Sequence, residues 1–309
     1  MFQNQVNLSH YSNCKIGGSA EHFYAADKVK KIILAVERAR QLKLPIFILG
    51  GGTNLLISDE GFSGLVLKPE INLLKAYGTV VRVGAGVSIF ELLDFAITRG
   101  LSGLEWAGGL PGTVGGAIRG NAGAFRGEIK DNIIDVLSLR LGDLNIIKRN
   151  REECNFGYRD SVFKQEDGKE IILSATFVLR AGDKKEIRQA IEDKIKWRQT
   201  RQPLEHPNIG SIFKNVDWKK VPKNWQENEE IKKHLKTDPF PVIPAATLID
   251  KSGLKGVIFG GAMISPKHPN FIVNTLQAGS SDVEKLIKLV KITVQDKFGI
   301  ELEEEIIYV

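Results

Sequence analysis

The sequence predicts an α+β fold of two domains, on three observations. Its strands are short and mixed with helices. The glycine fingerprints of the dinucleotide and P-loop folds are both broken: Gly84-Ala85-Gly86 has Ile89 where a third glycine is needed, and Gly168-Lys169 has Phe163 five residues before Gly168. The 309 residues are enough for two compact domains.

The elements follow in order. Residues 28–43 are spaced as a helix, with Val29, Ile32, Ile33, Val36 and Ala39 on one face, and Pro45 ends it. Ile46-Phe47-Ile48-Leu49 is a short buried strand that drops into Gly50-Gly51-Gly52-Thr53-Asn54. Strands are expected at 65–67, 80–83, 133–141 and 170–179, and a helix at 88–99 with Ile89, Leu92, Leu93 and Ala96 as its stripe. An amphipathic helix over 184–200 follows Gly182, where a domain boundary is expected. Residues 216–240, rich in Lys, Glu and Asn around Trp218 and Trp225, read as a solvent-facing insertion. A helix over 281–297 carries Val283, Leu286, Leu289, Val290 and Ile292, and a strand near 301–308 closes the chain.

Composition narrows the function. Hydrophobic residues make up 42% and charged residues 26%, a globular balance. The net charge of +6 comes without any block of five or six basic residues, so a nucleic-acid tail is disfavoured and anionic small ligands fit. Cys14 and Cys154 stand far apart, and the five histidines are scattered, so no disulfide framework and no metal site is expected. No apolar run is long enough to span a bilayer and the N-terminus has no signal core, so a cytoplasmic chain is expected.

Glycine is the outlier. Nine of the 31 glycines fall between Gly103 and Gly127, a density that calls for tight turns or a close-lying ligand. Gly50 to Asn54 could present successive N–H groups to a phosphate, or be a plain turn. From Trp106 to Ile118 no residue is charged. That stretch could lie flat against a planar cofactor, or be a packing bend.

Taken in order, several segments resemble the UDP-N-acetylenolpyruvoylglucosamine reductase (MurB) family, in its short-loop form. They are Lys15-Ile16-Gly17-Gly18, Leu49-Gly50-Gly51-Gly52-Thr53-Asn54-Leu55-Leu56, Gly100 to Glu105, Leu110-Pro111-Gly112-Thr113-Val114-Gly115-Gly116, Asn121-Ala122-Gly123-Ala124, Phe156-Gly157-Tyr158-Arg159-Asp160-Ser161, Gly210-Ser211-Ile212-Phe213-Lys214-Asn215, Gly260-Gly261-Ala262, Lys267 to Ile272 and Phe298 to Glu303. The set spans nearly the whole chain. The resemblance implies a two-lobed FAD-binding region of the vanillyl-alcohol-oxidase/PCMH type over 1–182, with lobes at about 1–69 and 70–182. It implies a C-terminal α+β domain over 183–309 for a UDP-sugar.

The resemblance also implies the chemistry: NADPH reduces FAD, which reduces an enolpyruvyl ether on the sugar nucleotide in peptidoglycan synthesis. By family position Arg159, Ser211 and Glu305 are catalytic and converge on one point. Hydride addition loads negative charge onto the α-carbon and its carboxylate, which suits the fork of Arg159. Ser211 supplies the proton. Alternation puts Glu303 and Glu305 on one strand face and Glu304 on the other, so only the family register selects Glu305. The flavin is expected on Gly50, Gly51, Gly52, Thr53, Asn54 and Leu55, and on Gly109, Pro111, Gly112, Thr113, Gly115, Gly116, Ala117, Asn121, Gly123 and Ala124. Arg201, Asn215 and His268 are expected to hold the UDP-sugar. The partner is thus a small molecule rather than nucleic acid or membrane, and the chain is expected to act as a monomer. Val216 and Gly120 depart from the family's usual residues. Another flavin oxidoreductase on this scaffold, and a non-catalytic UDP-sugar-binding protein, are the alternatives.

Overall fold

The computed structural model describes residues 2–238 and 240–309; Met1 and Pro239, the latter inside the 216–240 segment, lie outside the described residues. Two compact units make up the chain. The first takes residues up to Val6, then Ala20–Gly51 and Phe62–Arg198; the second takes Asn7–Ser19, Gly52–Gly61 and Gln199–Val309.

The first unit holds two sheets. One has the strand order Gln3–Asn7, Ser19–Ala26, Phe62–Pro69, Ile46–Ile48, and its last three strands pair in parallel. Parallel strands need a crossover. The helix Val29–Gln41 supplies it and buries Ile32, Ala35, Val36 and Ala39. The other sheet is antiparallel, in the order Ile146–Asn150, Ile133–Arg140, Glu170–Val178, Val80–Gly84, Leu74–Tyr77. It is buried on both faces. Ile171 and Leu173 join the cluster around Val29–Gln41, while Ile172 points oppositely, into the cluster around the helix Ile89–Arg99. That helix starts where its sequence says it should. Ser88 Oγ accepts from Glu91 N, the Glu91 carboxylate accepts from Ser88 N, and Gly100 at φ 64° ends it. The hydrogen bonds from Ser88 hold the Glu91 carboxyl below the usual range. The helix Lys184–Arg201 packs Ile187 and Ile191 into this same cluster.

The second unit is built on an antiparallel sheet, Asn208–Ser211, Phe271–Asn274, Ala262–Ile264, Ile258–Phe259. The helices Ala245–Lys251 and Ser280–Phe298 bury their apolar faces with it in one core. In the longer helix the inward stripe is Val283, Leu286, Ile287, Val290, Val294 and Phe298; Leu289 and Ile292 face solvent. The expected strand near 301–308 survives only as Ile307–Tyr308, which pairs in parallel with Leu55–Leu56. Among the described residues no helix is long and apolar enough to cross a membrane.

The 216–240 segment departs from expectation in part. Most of its described residues are exposed, as expected, but it is also anchored: Val216, Val221 and Ile231 are core residues, and Trp218 and Trp225 pack against that core. The Trp225 ring stands edge-on to Phe298 at 4.8 Å. Its apolar residues are spread over a short strand, a 3-10 turn and two four-residue helices. No window of sequence therefore shows a sustained period. Ile231→Ala is expected to lower the unfolding free energy of this unit by about 2–5 kcal/mol. Lys223→Ala, on an exposed position, should stay within about 0.5 kcal/mol. Urea titration of both variants checks this, and equal midpoints would return the segment to the surface.

Candidate functional site

Gly50 and Gly51, where the first glycine-rich loop begins, meet the second loop inside the first unit. A Cβ on Gly51 would lie 2.6 Å from Gly112 Cα, and one on Gly50 would lie 3.1 Å from Thr113 Oγ1. The second loop is pinned from behind by backbone bonds: Ile89 N donates to Gly112 O, Val114 N to Val87 O and Gly115 N to Ala85 O. Thr113 then caps the short helix Val114–Arg119, its side chain accepting from Gly116 N.

These loops fit an expected flavin on features the protein itself leaves unexplained. Among the described residues none accepts a hydrogen bond from the backbone N–H of Gly50, Gly51, Gly52, Thr53 or Asn54. Buried N–H groups are seldom left so, and Gly52 is buried. Gly116 lies in a helix, where glycine costs about 0.5–1 kcal/mol against alanine. Yet a Cβ there would meet only Thr113 Oγ1, at 3.6 Å. Nothing in the protein requires that glycine, whereas a ligand lying on the exposed backbone would. Two buried donors near this loop also lack partners, Trp106 Nε1 and Arg198 Nη2. Asn121 is different. It is wholly buried, Nδ2 donates to Gly157 O and Glu128 Oε2, and Oδ1 accepts from Lys130 N. Its side chain is therefore committed to bracing the loop that carries Arg159.

Arg159 adopts a left-handed backbone, φ 55°, in a tight Gly157–Asp160 turn. A side chain rarely takes that conformation unless its surroundings enforce it. Nη2 donates to Gly123 O at 2.8 Å, and the guanidinium lies 5.3 Å from the Tyr158 ring centre. Ser161 Oγ donates to Arg119 O at 2.6 Å and Lys164 Nζ to Arg159 O at 3.0 Å, fixing the turn at both sides.

In the second unit, Ser211 ends the strand Asn208–Ser211 opposite Phe271. The residues after it run beside the chain's end: Glu305 N donates to Ile212 O at 2.8 Å and Lys214 N to Glu303 O at 2.9 Å. Glu305 is thereby brought next to Ser211's neighbour. Its own carbonyl accepts from Asn54 Nδ2 at 2.9 Å, and Ile307 N donates to Asn54 O, so the end of the first glycine loop joins the same layer. The structure gives Glu303 and Glu304 different partners. Glu303 pairs with Lys214 and is 64% exposed. Glu304 binds Lys291 Nζ at 2.7 Å and Tyr308 Oη at 2.6 Å. Burial pushes its carboxyl up, but the bonds from Lys291 and Tyr308 outweigh that and leave it lowered.

The expected sugar-nucleotide residues are distributed over the same unit. The His268 ring stands edge-on to Phe271, Ser211's strand partner, at 4.8 Å. Its Nδ1 is buried without a partner, and burial lowers its pKa to about 4, with Lys236 and Lys255 adding to the effect. Next to it, Lys267 Nζ reaches Gln199 O and Glu205 Oε2, tying this loop to the segment that carries exposed Arg201. Asn215 Oδ1 accepts from Ala245 N at 3.3 Å. Arg198 and Trp106 were missed by motif spacing. The signal for Arg198 was present, since it continues the register of Ile187, Ile191 and Ile195 along one helix face.

Comparison with known proteins agrees with this geometry. A family model described as "FAD binding domain" matches residues 20–141, and one described as "UDP-N-acetylenolpyruvoylglucosamine reductase, C-terminal domain" matches residues 202–309. The reductase of that name from Clostridium novyi is 34% identical over 305 residues, covering 98% of this chain and 91% of the relative. That from Fervidobacterium nodosum is 37% identical over 307 residues, covering 99% and 91%. The crystal structure of the reductase from Thermus caldophilus matches with a TM-score of 0.77 at 30% identity, over 100% of this chain and 99% of that one. With relatives at this identity along nearly its whole length and an FAD-binding domain at its start, the chain belongs to the UDP-N-acetylenolpyruvoylglucosamine reductase family.

Proposed function

We infer that this chain catalyses the FAD-dependent, NADPH-consuming reduction of UDP-N-acetylglucosamine enolpyruvate to UDP-N-acetylmuramate in peptidoglycan synthesis. The relation to the named reductases supports the reaction. The observation that supports the site best is the 2.8 Å backbone bond from Glu305 N to Ile212 O, which brings the backbone of Glu305 beside the residue after Ser211. Bound FAD supplies the carrier that takes hydride from NADPH and delivers it to the terminal carbon of the enolpyruvyl group. The chain's own residues must handle the charge and the proton. Arg159, locked in its strained turn, stabilises negative charge at the α-carbon and carboxylate. An interaction that exists only as this charge develops lowers the barrier rather than the substrate's ground state. Ser211 donates the proton to the α-carbon, and Glu305 stabilises the same developing charge.

Gly50 to Leu55 and Gly109 to Ala124 hold the cofactor, with the unaccepted N–H groups of the first loop turned to its pyrophosphate. Arg201, Asn215 and His268 hold the UDP-sugar. The cytoplasm is the compartment that fits, since both cysteines are free, and the chain acts as a monomer, which sedimentation equilibrium checks.

Three outcomes test these assignments. Ser211→Ala should leave flavin reduction by NADPH near normal, because that half-reaction needs no proton from Ser211. Reoxidation by the enolpyruvyl substrate should slow by roughly 10²–10⁴-fold in stopped flow; a parent rate would send the search for the acid to Glu305. Gly116→Ala should weaken FAD at least about tenfold, about 1.4 kcal/mol, while the apo protein keeps or gains stability, the glycine having cost it helix propensity. An unchanged FAD dissociation constant would remove the close approach argued for that backbone.

His268 should stay neutral to well below pH 6. Its value in the folded chain, about 4, lies under the ordinary 6.5, so unfolding takes up a proton between them. Its contribution to stability is complete above about 6.5 and lost as the pH falls toward 4. A ring titration by NMR with a midpoint near 6.5 would contradict this.

A further inference from the structure

We propose that Arg198 is a fixed cation for the flavin, its unpartnered Nη2 serving the negative charge that bound FAD acquires on reduction. The inference rests on FAD occupying the first unit.

Arg198 lies near the end of the helix Lys184–Arg201 and is only 8% exposed. Its side chain is held on three sides. Nε donates to Gly108 O at 2.9 Å. The guanidinium lies 5.4 Å from the centre of the Phe125 ring, a favourable cation–π arrangement. Cδ fills the space beside Gly109, 2.9 Å from where a Cβ there would stand. What remains is Nη2, buried with no acceptor. No carboxylate pairs with this guanidinium among the described residues, and the charged group that acts on it is Arg159, of the same sign. Burial, reinforced by Arg159, lowers its pKa to about 10, which still leaves it charged at neutral pH.

Proteins seldom bury a charge without a partner, since the cost is several kcal/mol per ion. This one is immobilised as well, so its orientation is built in rather than incidental. Besides the pyrophosphate of FAD, assigned above to the N–H groups of the first loop, and the diphosphate of the UDP-sugar, the reaction offers two anionic partners, the substrate carboxylate and the reduced cofactor. The anchor decides between them. Arg198 is bonded to the backbone of the glycine loop Gly108–Gly112, in the unit whose sequence matches an FAD-binding domain. Reduction by NADPH adds a hydride, that is two electrons and one proton, so the cofactor gains one negative charge. A fixed positive charge favours the reduced form over the oxidised one, and charge placed near the ring is how proteins tune flavin potentials.

The test compares the wild-type holoenzyme with Arg198→Met and Arg198→Lys, without substrate. The midpoint potential of the bound flavin is measured by dye-equilibrated reduction. The methionine variant should disfavour the reduced form about tenfold or more, about 30 mV more negative for a two-electron couple, and lysine should restore part of the shift. In the wild type, the reduced flavin at pH 7 should show the spectrum of the anion. A potential unchanged in Arg198→Met overturns the proposal, and if KM for the enolpyruvyl substrate rises instead, the cation serves the substrate carboxylate. A neutral reduced flavin in the wild type overturns it with no variant needed, so the proposal stays testable even if Arg198→Met does not fold. A wild-type protein that cannot be loaded with FAD refutes the flavin reading itself, not the role of Arg198 within it.

Discussion

The close approach of Gly51 to Gly112 is the constraint on which the first unit's site depends. The 2.6 Å left between a Cβ on Gly51 and Gly112 Cα is too short for any side chain, and Gly112 itself sits at φ 104°, a conformation that favours glycine. Two loops far apart in sequence are thereby held backbone to backbone. Their free N–H groups become a fixed feature of the fold, not something a ligand must organise. The supporting shell follows from the same contact. The second loop is stitched to Ala85 and Val87, which enter the helix Ile89–Arg99 through its capped start. A rigid element thus stands behind Gly112 to Gly115, the arrangement that precise binding of a cofactor needs.

The second unit solves a different problem, bringing the backbone of Glu305 beside that of Ile212, the residue after Ser211. It does so with backbone hydrogen bonds, from Glu305 N to Ile212 O and from Lys214 N to Glu303 O. Neighbouring glutamates are then separated by their cations. Lys214 takes Glu303, and Lys291 with Tyr308 takes Glu304. Two adjacent carboxylates, Glu303 and Glu304, thereby acquire different environments, which is how chemically identical side chains come to differ in behaviour.

Much of this was legible in sequence, and the exceptions have physical causes. The helices Val29–Gln41, Ile89–Arg99 and Ser280–Phe298 were legible because burial on one face imposes a 3.6-residue period. In the last, Leu289 and Ile292 misled because an exposed leucine or isoleucine costs little and leaves the same mark in sequence as a buried one. The core anchors of the largely exposed segment around Trp225 were not legible because they arrive singly, each from a different short turn. The order of glycine motifs identified the loops, but not which glycines serve internal packing. Gly84 and Gly86 would collide with Ile71 and Glu70, whereas Gly116 collides with nothing. That distinction exists only in three dimensions.

Arg159 and Arg198 share an electrostatic logic that explains why the first unit tolerates both. Burial, reinforced by Arg159, disfavours the charged form of Arg198, and a chain selected for stability alone would place an apolar residue there or an acid beside it. Neither group is loose. Arg159 is pinned by Gly123 O and a left-handed turn, and Arg198 by Gly108 O and Phe125. Both anchors are backbone carbonyls, which orient a cation without neutralising it. A carboxylate in place of the Gly108 carbonyl would have stabilised Arg198 in the apo protein and cancelled its field. Arg198 therefore keeps a buried positive charge whose Nη2 has no acceptor among the described residues, at a cost in stability that only an anionic ligand would recover.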